Sequence, residues 1–220
     1  VVDKRVTQVE LPSNNLQNTI PDITSGLENV VLIDLSDNEL INIGALNSLS
    51  SLSSINVASN RLSFAPIENL LAILPGGVIY SPQKQLLDSI RTVQEIGVTY
   101  TLDRTIGGSS NTYEWAKDGT ALTETGGTIP VTIDDFSSDG IYRAQVRNEN
   151  VPGLVISTAP IILIVSSLER DQASLRIVYE ALVTDDAQFS TDWLSTPITD
   201  WEEVTLENNR AIAIDLANKN

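Results

Sequence analysis

The sequence predicts a mostly β protein with some α structure: a short solenoid of repeats, then a β-sandwich, then a helical segment that ends in a strand. Three observations predict this organisation. Residues 1–86 repeat one pattern of apolar and amide residues, residues 87–166 form short alternating runs separated by turn residues, and residues 167–220 open with apolar residues at helical spacing. Apolar residues make up 41% of the chain, which is typical of a protein with a packed core.

The first segment repeats a single template. Three copies and a weaker fourth are Val9-x-Leu11-x-x-Asn14-x-Leu16, Ile33-x-Leu35-x-x-Asn38-x-Leu40, Ile55-x-Val57-x-x-Asn60-x-Leu62 and Val78-x-Tyr80-x-x-Gln83. The amide positions are 24, 22 and 23 residues apart. Each copy supplies one short strand with alternate apolar residues inward, and we expect each amide to bond the backbone groups that its turn leaves free. One coil cannot bury its own apolar face, so the coils must stack.

This template resembles the leucine-rich repeat family over about residues 5–85. Asn18-Thr-Ile-Pro21 is similar to the Ile-Pro element of the plant-like subclass, whereas Asn42-Ile-Gly44 and Ser63-Phe-Ala-Pro66 depart from that element. The resemblance implies a solenoid of about four coils.

The second segment alternates like short strands and contains two aromatic landmarks. Trp115 lies on the predicted third strand, just before the turn Lys117-Asp-Gly119. Asp139-Gly-Ile-Tyr142-Arg-Ala144 resembles the tyrosine corner of immunoglobulin folds, with Ala144 where those folds often carry Cys. The segment is therefore similar to a bacterial immunoglobulin-like domain without its disulfide, and we expect Trp115 and Tyr142 in its core.

The third segment begins with a predicted helix over about Asp171–Leu182. Trp193 and Trp201 follow, and an apolar strand, Arg210–Leu216, comes next. This order resembles the N-terminal cap of a leucine-rich repeat, which implies that the two tryptophans bury apolar surface over a first coil.

A cap is expected before its repeats, and here it follows them. Arg5-Val-Thr-Gln-Val9-Glu-Leu11 matches Arg210-Ala-Ile-Ala-Ile214-Asp-Leu216 across 205 residues. A covalent tandem array explains this order, and so do separate subunits whose cap stacks on the first coil of the next copy. A boundary chosen inside a longer chain explains it as well. Both assembly hypotheses predict head-to-tail growth, with contacts at Val9, Leu11, Ile214 and Leu216.

Composition excludes several classes of function. The chain has 13 Lys and Arg against 29 Asp and Glu, a net charge of −16, which disfavours nucleic acid and anionic membranes as partners. It has no His and no Cys, which excludes a Ser-His-Asp triad, a thiol nucleophile and a zinc site of the usual nitrogen and sulfur kind. The longest apolar run, about Ile161–Val165, is too short to cross a bilayer, so we expect no membrane insertion.

Carboxylate doublets are the remaining catalytic candidates: Asp134-Asp135, Asp185-Asp186 and Glu202-Glu203. Neighbouring residues of a strand point to opposite faces, so a doublet does not place two carboxylates across one cleft. We therefore expect solvated surface charge and no enzymatic activity.

The sequence offers two further candidate sites. Asp134, Asp135 and Asp139 crowd one loop and offer oxygen ligands to calcium, although their spacing is not that of an EF-hand. No other cofactor is expected. Asp88-Ser89-Ile90 fits a short acceptor pattern for O-glycosylation in some surface-attached bacteria, which makes Ser89 a candidate for modification.

The sequence thus predicts a structural repeat unit of an extracellular bacterial fibre or adhesin stalk at the cell surface, with neighbouring copies of itself as partners. The alternative is a recognition module that binds a protein or glycan of a host or environmental surface. Glu10, Asp34 and Asn56 occupy equivalent strand positions on the solenoid face and would line that binding surface.

Overall fold

The computed structural model describes residues 5–20, 26–44, 46, 49–182, 196–202, 204–207 and 210–215. Over these residues it contains sixteen strands and two α-helices, so the predicted mostly β composition with some α is confirmed. The chain forms two compact units: Val1–Arg91, Thr101–Pro130 and Gly140–Ile162 make the first, and Thr92–Tyr100, Val131–Asp139 and Leu163–Asn220 make the second. Neither described helix has the length and apolar character needed to cross a membrane.

In chain order the elements are β1 (Gln8–Glu10), β2 (Gln17–Thr19), β3 (Leu32–Asp34), β4 (Glu39–Asn42), β5 (Ser54–Asn56), α1 (Phe64–Ile73), β6 (Val78–Ile79), β7 (Ile90–Glu95), β8 (Thr99–Asp103), β9 (Asn111–Lys117), β10 (Thr120–Ala121), β11 (Thr128–Thr132), β12 (Gly140–Asn148), β13 (Val155–Ser157), β14 (Ile161–Ser166), α2 (Leu168–Leu182), β15 (Val204–Glu207) and β16 (Arg210–Ile214). Short 3₁₀ turns cover Phe136–Ser138 and Ile198–Asp200.

A parallel sheet in the order β1-β3-β5-β6 is the spine of the first 85 residues. Its register aligns the first apolar residue of every template copy: Val9 lies opposite Ile33, Ile33 opposite Ile55, and Ile55 opposite Val78. Ile33 and Ile55 are buried, because alternate residues of a strand point to the same side. The repeated template therefore appears as one continuous register, although the copies are 24, 22 and 23 residues apart.

A second set of elements, β2, β4 and α1, follows the strands of the parallel sheet along the chain. β2 and β4 pair in parallel, and α1 occupies the corresponding part of the next repeat. Helix α1 buries its side chains at positions three residues apart, namely Phe64, Ile67 and Leu70. Pro66 lies in the first turn, where the missing N–H costs no helical hydrogen bond. The helix thus forms where the sequence departs from the Ile-Pro element.

Residues 90–166 supply a larger sheet in the order β10-β9-β12-β14-β7, with β13 on β12, and a two-stranded sheet of β11 and β8. Strand β12 alternates exposed and buried residues along its whole length, which is typical of a strand with one face on a core. Its antiparallel partner β9 places Trp115 opposite Ala144. Trp115 and Tyr142 are both buried, and the Trp115 indole donates to the Gly126 carbonyl at 2.7 Å.

In the second unit, α2 and the antiparallel hairpin β15–β16 enclose a small apolar core. Tyr179, Ile198 and Trp201 are its buried members. The Trp201 indole donates to the Thr196 carbonyl at 3.1 Å. Trp193, the other tryptophan predicted for this core, lies outside the described residues.

Candidate functional site

The four amides of the template form what we call the amide ladder, Asn14, Asn38, Asn60 and Gln83. Asn38 is buried, and its Oδ1 accepts from the backbone N–H groups of Asn14 at 3.0 Å and Leu16 at 2.9 Å. Its Nδ2 donates back to the Leu11 carbonyl at 2.9 Å. A single side chain therefore satisfies donors and an acceptor of the coil before it, and it also donates to the Leu35 carbonyl of its own coil.

Asn60 repeats this geometry one coil later. Its Oδ1 accepts from the Leu40 N–H at 3.0 Å, and its Nδ2 donates to the Leu35 carbonyl at 2.9 Å. Gln83 follows, with Oε1 accepting from the Leu62 N–H at 3.1 Å. Asn14 differs, because its side chain is exposed and its Nδ2 donates to the Pro12 carbonyl of its own coil.

The residue before each asparagine of the ladder adopts a left-handed backbone. Ser13, Asp37 and Ser59 have φ of 56°, 57° and 56°. Each of their backbone N–H groups donates to a carbonyl of the following coil. The acceptors are the carbonyls of Ser36, Ala58 and Pro82, respectively. This repeated turn was not predicted from the sequence, although its small polar residues at one template position carried the signal.

The strand face brings Glu10, Asp34 and Asn56 side by side, since the register places Glu10 opposite Asp34 and Asp34 opposite Asn56. Asp34 Oδ1 accepts from the Ser36 N–H at 2.9 Å and the Ser36 hydroxyl at 2.6 Å, and Asn56 Oδ1 accepts from the Ala58 N–H at 3.2 Å. Partial burial raises the pKa of Asp34, but the hydrogen bonds from Ser36 and Asn56 outweigh it and leave the pKa lowered. Asp34 is therefore ionised at neutral pH, and its carboxylate is occupied by its own turn.

Strand β1 presents the first edge of the parallel sheet. It is the terminal strand in the order of described strands, and Val9 is half-buried while its counterparts Ile33 and Ile55 are buried. Val6 and Leu11 are 41% and 40% exposed. An edge strand flanked by exposed apolar side chains is a template for pairing with another chain.

The hairpin β15–β16 presents a second edge of the same kind. Ile214, which matches Val9 in the sequence, is 38% exposed, and Leu216 lies outside the described residues. Nearer the start of the strand, Ala211 packs against the core of Tyr179, Ile198 and Trp201, and its N–H donates to Asp171 Oδ2 at 3.0 Å.

A polar junction in the first unit was missed by sequence reasoning. The carboxylate of Glu68 on α1 accepts from the N–H and hydroxyl of Ser109, both at 3.0 Å, and from Asn148 Nδ2 at 2.8 Å. Partial burial raises the pKa of Glu68, but these bonds and one from Asn150 outweigh it and lower the pKa. The partners lie 41 and 80 residues away in sequence, so no local sequence pattern predicted the contacts of this carboxylate.

The loop considered for calcium does not fit the ion. Asp135 Oδ1 accepts from the Ser137 N–H at 2.7 Å, and Asp139 accepts from the Val165 N–H and from Arg170 Nη1 at 2.6 Å. A guanidinium at the carboxylate opposes a divalent cation, and no group of three metal-binding side chains converges anywhere in the described residues. The carboxylates of Asp135 and Asp139 bind protein groups.

Three of the remaining candidates, Ser89, Asp134 and Glu202, lie on the surface. Ser89 is exposed in the connection between β6 and β7, which is accessible to a modifying enzyme. Asp134 and Glu202 are also exposed, whereas Asp185, Asp186 and Glu203 lie outside the described residues.

No family model matches the chain. A stretch of 65 residues is 40% identical to a protein named adenylate cyclase from Schizosaccharomyces pombe (strain 972 / ATCC 24843), which covers 30% of this chain and only 4% of that protein. Among solved structures, the CBM51-2 and INT domains of Clostridium perfringens ZmpB are 15% identical, over 72% of this chain and 30% of that one, with a TM-score of 0.36. At that TM-score the likeness carries no argument about this chain.

Proposed function

We propose that this chain is a structural repeat unit of an extracellular bacterial fibre or adhesin stalk, in which units follow one another head to tail. In this proposal residues 1–86 are a leucine-rich-repeat solenoid, residues 87–166 an immunoglobulin-like sandwich without a disulfide, and residues 167–220 a cap of the kind that precedes such a solenoid. One observation carries the proposal: the strand at the edge of the parallel sheet, β1, has the same residue pattern as β16 in the hairpin of the other unit.

The physical argument starts from the edge. Exposed apolar residues beside a strand edge that no described strand pairs with are costly in water and favour a covering chain. The two matching strands belong to different ends of the sequence, so the contact between copies is heterologous and continues from copy to copy. A contact that continues from copy to copy in this way builds a fibre.

Other features of the chain agree with a structural role. The sequence has no His or Cys with which to build a nucleophile or zinc site, and the carboxylates of Asp34, Glu68 and Asp139 accept hydrogen bonds from neighbouring protein groups. Its net charge of −16 disfavours nucleic acid as a partner. We propose the cell surface as its location and neighbouring copies as its partners, with no enzymatic activity.

The alternative function is recognition of a surface protein or glycan on the strand face. Glu10 favours it, because its side chain is exposed next to the ionised Asp34. Asp34 and Asn56 oppose it, because both side chains already bond their own turns. We therefore place recognition second.

The test is the mass of the denatured polypeptide from its natural source. A mass many times the 23.8 kDa of this chain supports a covalent array. A mass near 23.8 kDa together with filaments in concentrated solution supports non-covalent assembly. A single chain of this mass that sediments as a monomer at every concentration would refute the structural proposal.

Recognition is tested separately with Glu10→Ala, using Glu114→Ala on β9 as the matched surface control. Beads coated with each variant are applied to an array of glycans and purified surface proteins. Loss of one ligand in Glu10→Ala alone, with assembly intact, would favour recognition over a purely structural role.

A further inference from the structure

We infer that the exposed face of strands β9, β12 and β13 carries a binding pocket for an acidic sugar residue, a saccharide ring that bears a carboxylate. The residues that line this pocket lie in the first unit, and none of them belongs to the parallel sheet β1-β3-β5-β6. The inference does not depend on head-to-tail assembly. It assigns a ligand to a surface that the proposed function leaves unused.

Two neighbouring rows of residues form the pocket. In the antiparallel register Ala116 lies opposite Arg143 and Glu114 opposite Gln145, and Gln145 also lies opposite Ser157 of β13. Residues directly opposite each other in an antiparallel pair project from the same face of the sheet. The residues that alternate with them along β12 are buried, so these two rows face outward.

The pocket is concave because small residues lie beside long ones. Three of its lining residues have little or no side chain: Ala116, Gly119 and Ala121. Arg143 and Gln145 lie next to them, and Gln85 lines the pocket from the connection between β6 and β7, where its Nε2 donates to the Thr158 carbonyl at 3.2 Å. The volume of about 490 Å³ is in the range of pockets that hold small ligands.

The pocket contains a guanidinium that no acidic side chain of the described residues engages. The ion pairs of that part of the chain belong to Lys84, Arg147 and Arg170, and Arg143 is in none of them. Glu114, the carboxylate that lines the pocket, pairs with Arg147 at 3.2 Å. An arginine binds a carboxylate through two parallel hydrogen bonds, so Arg143 favours a ligand with that group.

The other groups of the pocket favour a ligand rich in hydroxyls. The Gln145 amide and the Ser157 hydroxyl can each donate and accept, and neither side chain forms a hydrogen bond within the described residues. Trp115 also lines the pocket, but its indole is only 1% exposed and donates to the Gly126 carbonyl. No ring is therefore presented for the apolar face of a neutral sugar, and recognition depends on charge and hydrogen bonds.

The experiment is an NMR titration of the isotope-labelled full chain with methyl β-D-glucuronide. Methyl β-D-glucoside is the matched probe, because it has a hydroxymethyl group where the glucuronide has its carboxylate. The glucuronide should shift the backbone amides of Ala116, Gln145 and Ser157 at millimolar concentration. The glucoside should bind at least about tenfold more weakly, because it cannot form a charge-assisted pair with Arg143.

Two substitutions test the pocket itself. Arg143→Gln should weaken glucuronide binding at least about tenfold, whereas Arg91→Gln, which removes the same charge from an exposed position of β7 outside the pocket, should leave it within about twofold. Ala116→Gln places a long side chain among the small ones and should abolish binding by occupying the space. Urea unfolding of each variant shows that the fold is retained.

Equal binding of the glucuronide and the glucoside would overturn the inference, and so would equal binding by Arg143→Gln and the parent chain. The absence of shifts at the three amides would do the same. Shifts there with the amide of N-acetylglutamate, but none with the glucuronide, would assign the pocket to acidic peptides and overturn the sugar as its ligand. None of these results affects the mass of the natural polypeptide, so the structural function is tested independently.

Discussion

Replacing Asn60 by Ala should destabilise the first unit strongly, because this side chain connects two coils from a fully buried position. Asn60 is 0% exposed. Its Oδ1 accepts from the Leu40 N–H at 3.0 Å, and its Nδ2 approaches the carbonyls of Leu35 at 2.9 Å, and of Val57 and Ala58 at 3.2 Å each. Alanine provides none of these contacts, and water cannot replace them without opening the core.

The magnitude follows from the groups left behind. An amide nitrogen has two hydrogens, so Asn60 makes about three effective hydrogen bonds in all. Each buried polar group left without a partner costs about 1–3 kcal/mol. The Leu40 N–H is certain to lose its partner, and one or two carbonyls lose a donor, which gives about 3–5 kcal/mol for Asn60→Ala.

Asn14→Ala is the matched control, because it removes the same side chain from the same template position at the exposed end of the ladder. Its loss should cost about 1 kcal/mol or less, since the Pro12 carbonyl can bond water instead. Urea unfolding of the full chain, followed by far-ultraviolet circular dichroism, measures both. If the two variants lose the same stability, or if Asn60→Ala loses less than about 1 kcal/mol, the ladder does not hold the coils together as argued.

Three other predictions concern the remaining contacts. Trp115→Ala should lower the free energy of unfolding by about 3–5 kcal/mol, and an unchanged urea midpoint would contradict a core role for this indole. Because the pKa of Glu68 is lowered from its usual 4.5 in the folded protein, its stabilising effect is present above that pH and is lost as the pH falls through the lowered value. Unfolding between pH 5 and 2 should therefore be less pH-dependent in Glu68→Gln than in the parent, and parallel pH profiles would argue against the junction. Arg170→Ala should cost about 1 kcal/mol or less, since the ion pair with Asp139 is partly exposed, and added millimolar calcium should not change the melting temperature of either protein.

The repeated strand and amide positions could be predicted from the sequence, whereas the contacts between distant segments could not. The template placed Val9, Ile33, Ile55 and Val78 at equivalent positions, and the structure pairs those positions in one register, because a slip by one residue would turn the apolar side chains of a strand away from the core. The amide positions were predictable for the same reason, since a buried turn must satisfy its own backbone.

Contacts between distant segments had no such signal. Glu68 is a lone carboxylate in a stretch for which the sequence predicted no helix, and such a carboxylate is ordinarily a solvated charge. Its hydrogen bonds to Ser109 and Asn148 depend on how one loop and the end of β12 approach α1, and nothing local to any of the three residues fixes that approach. Arg170 and Asp139 are another such pair, 31 residues apart. Such contacts become visible only when the fold is known.

Burial decreases along the repeat toward β1. Ile55 and Asn60 are fully buried, Ile33 and Asn38 nearly so at 2% and 1%, and the equivalent Val9 and Asn14 are half-buried and exposed. Among the described strands of the parallel sheet, β1 at the edge therefore has the least support from its neighbours. In the assembly proposed above, a copy that binds over β1 would stabilise the folded strand by mass action. Assembly and ordering of β1 are then one linked equilibrium, and a substitution such as Val9→Asp should weaken both together.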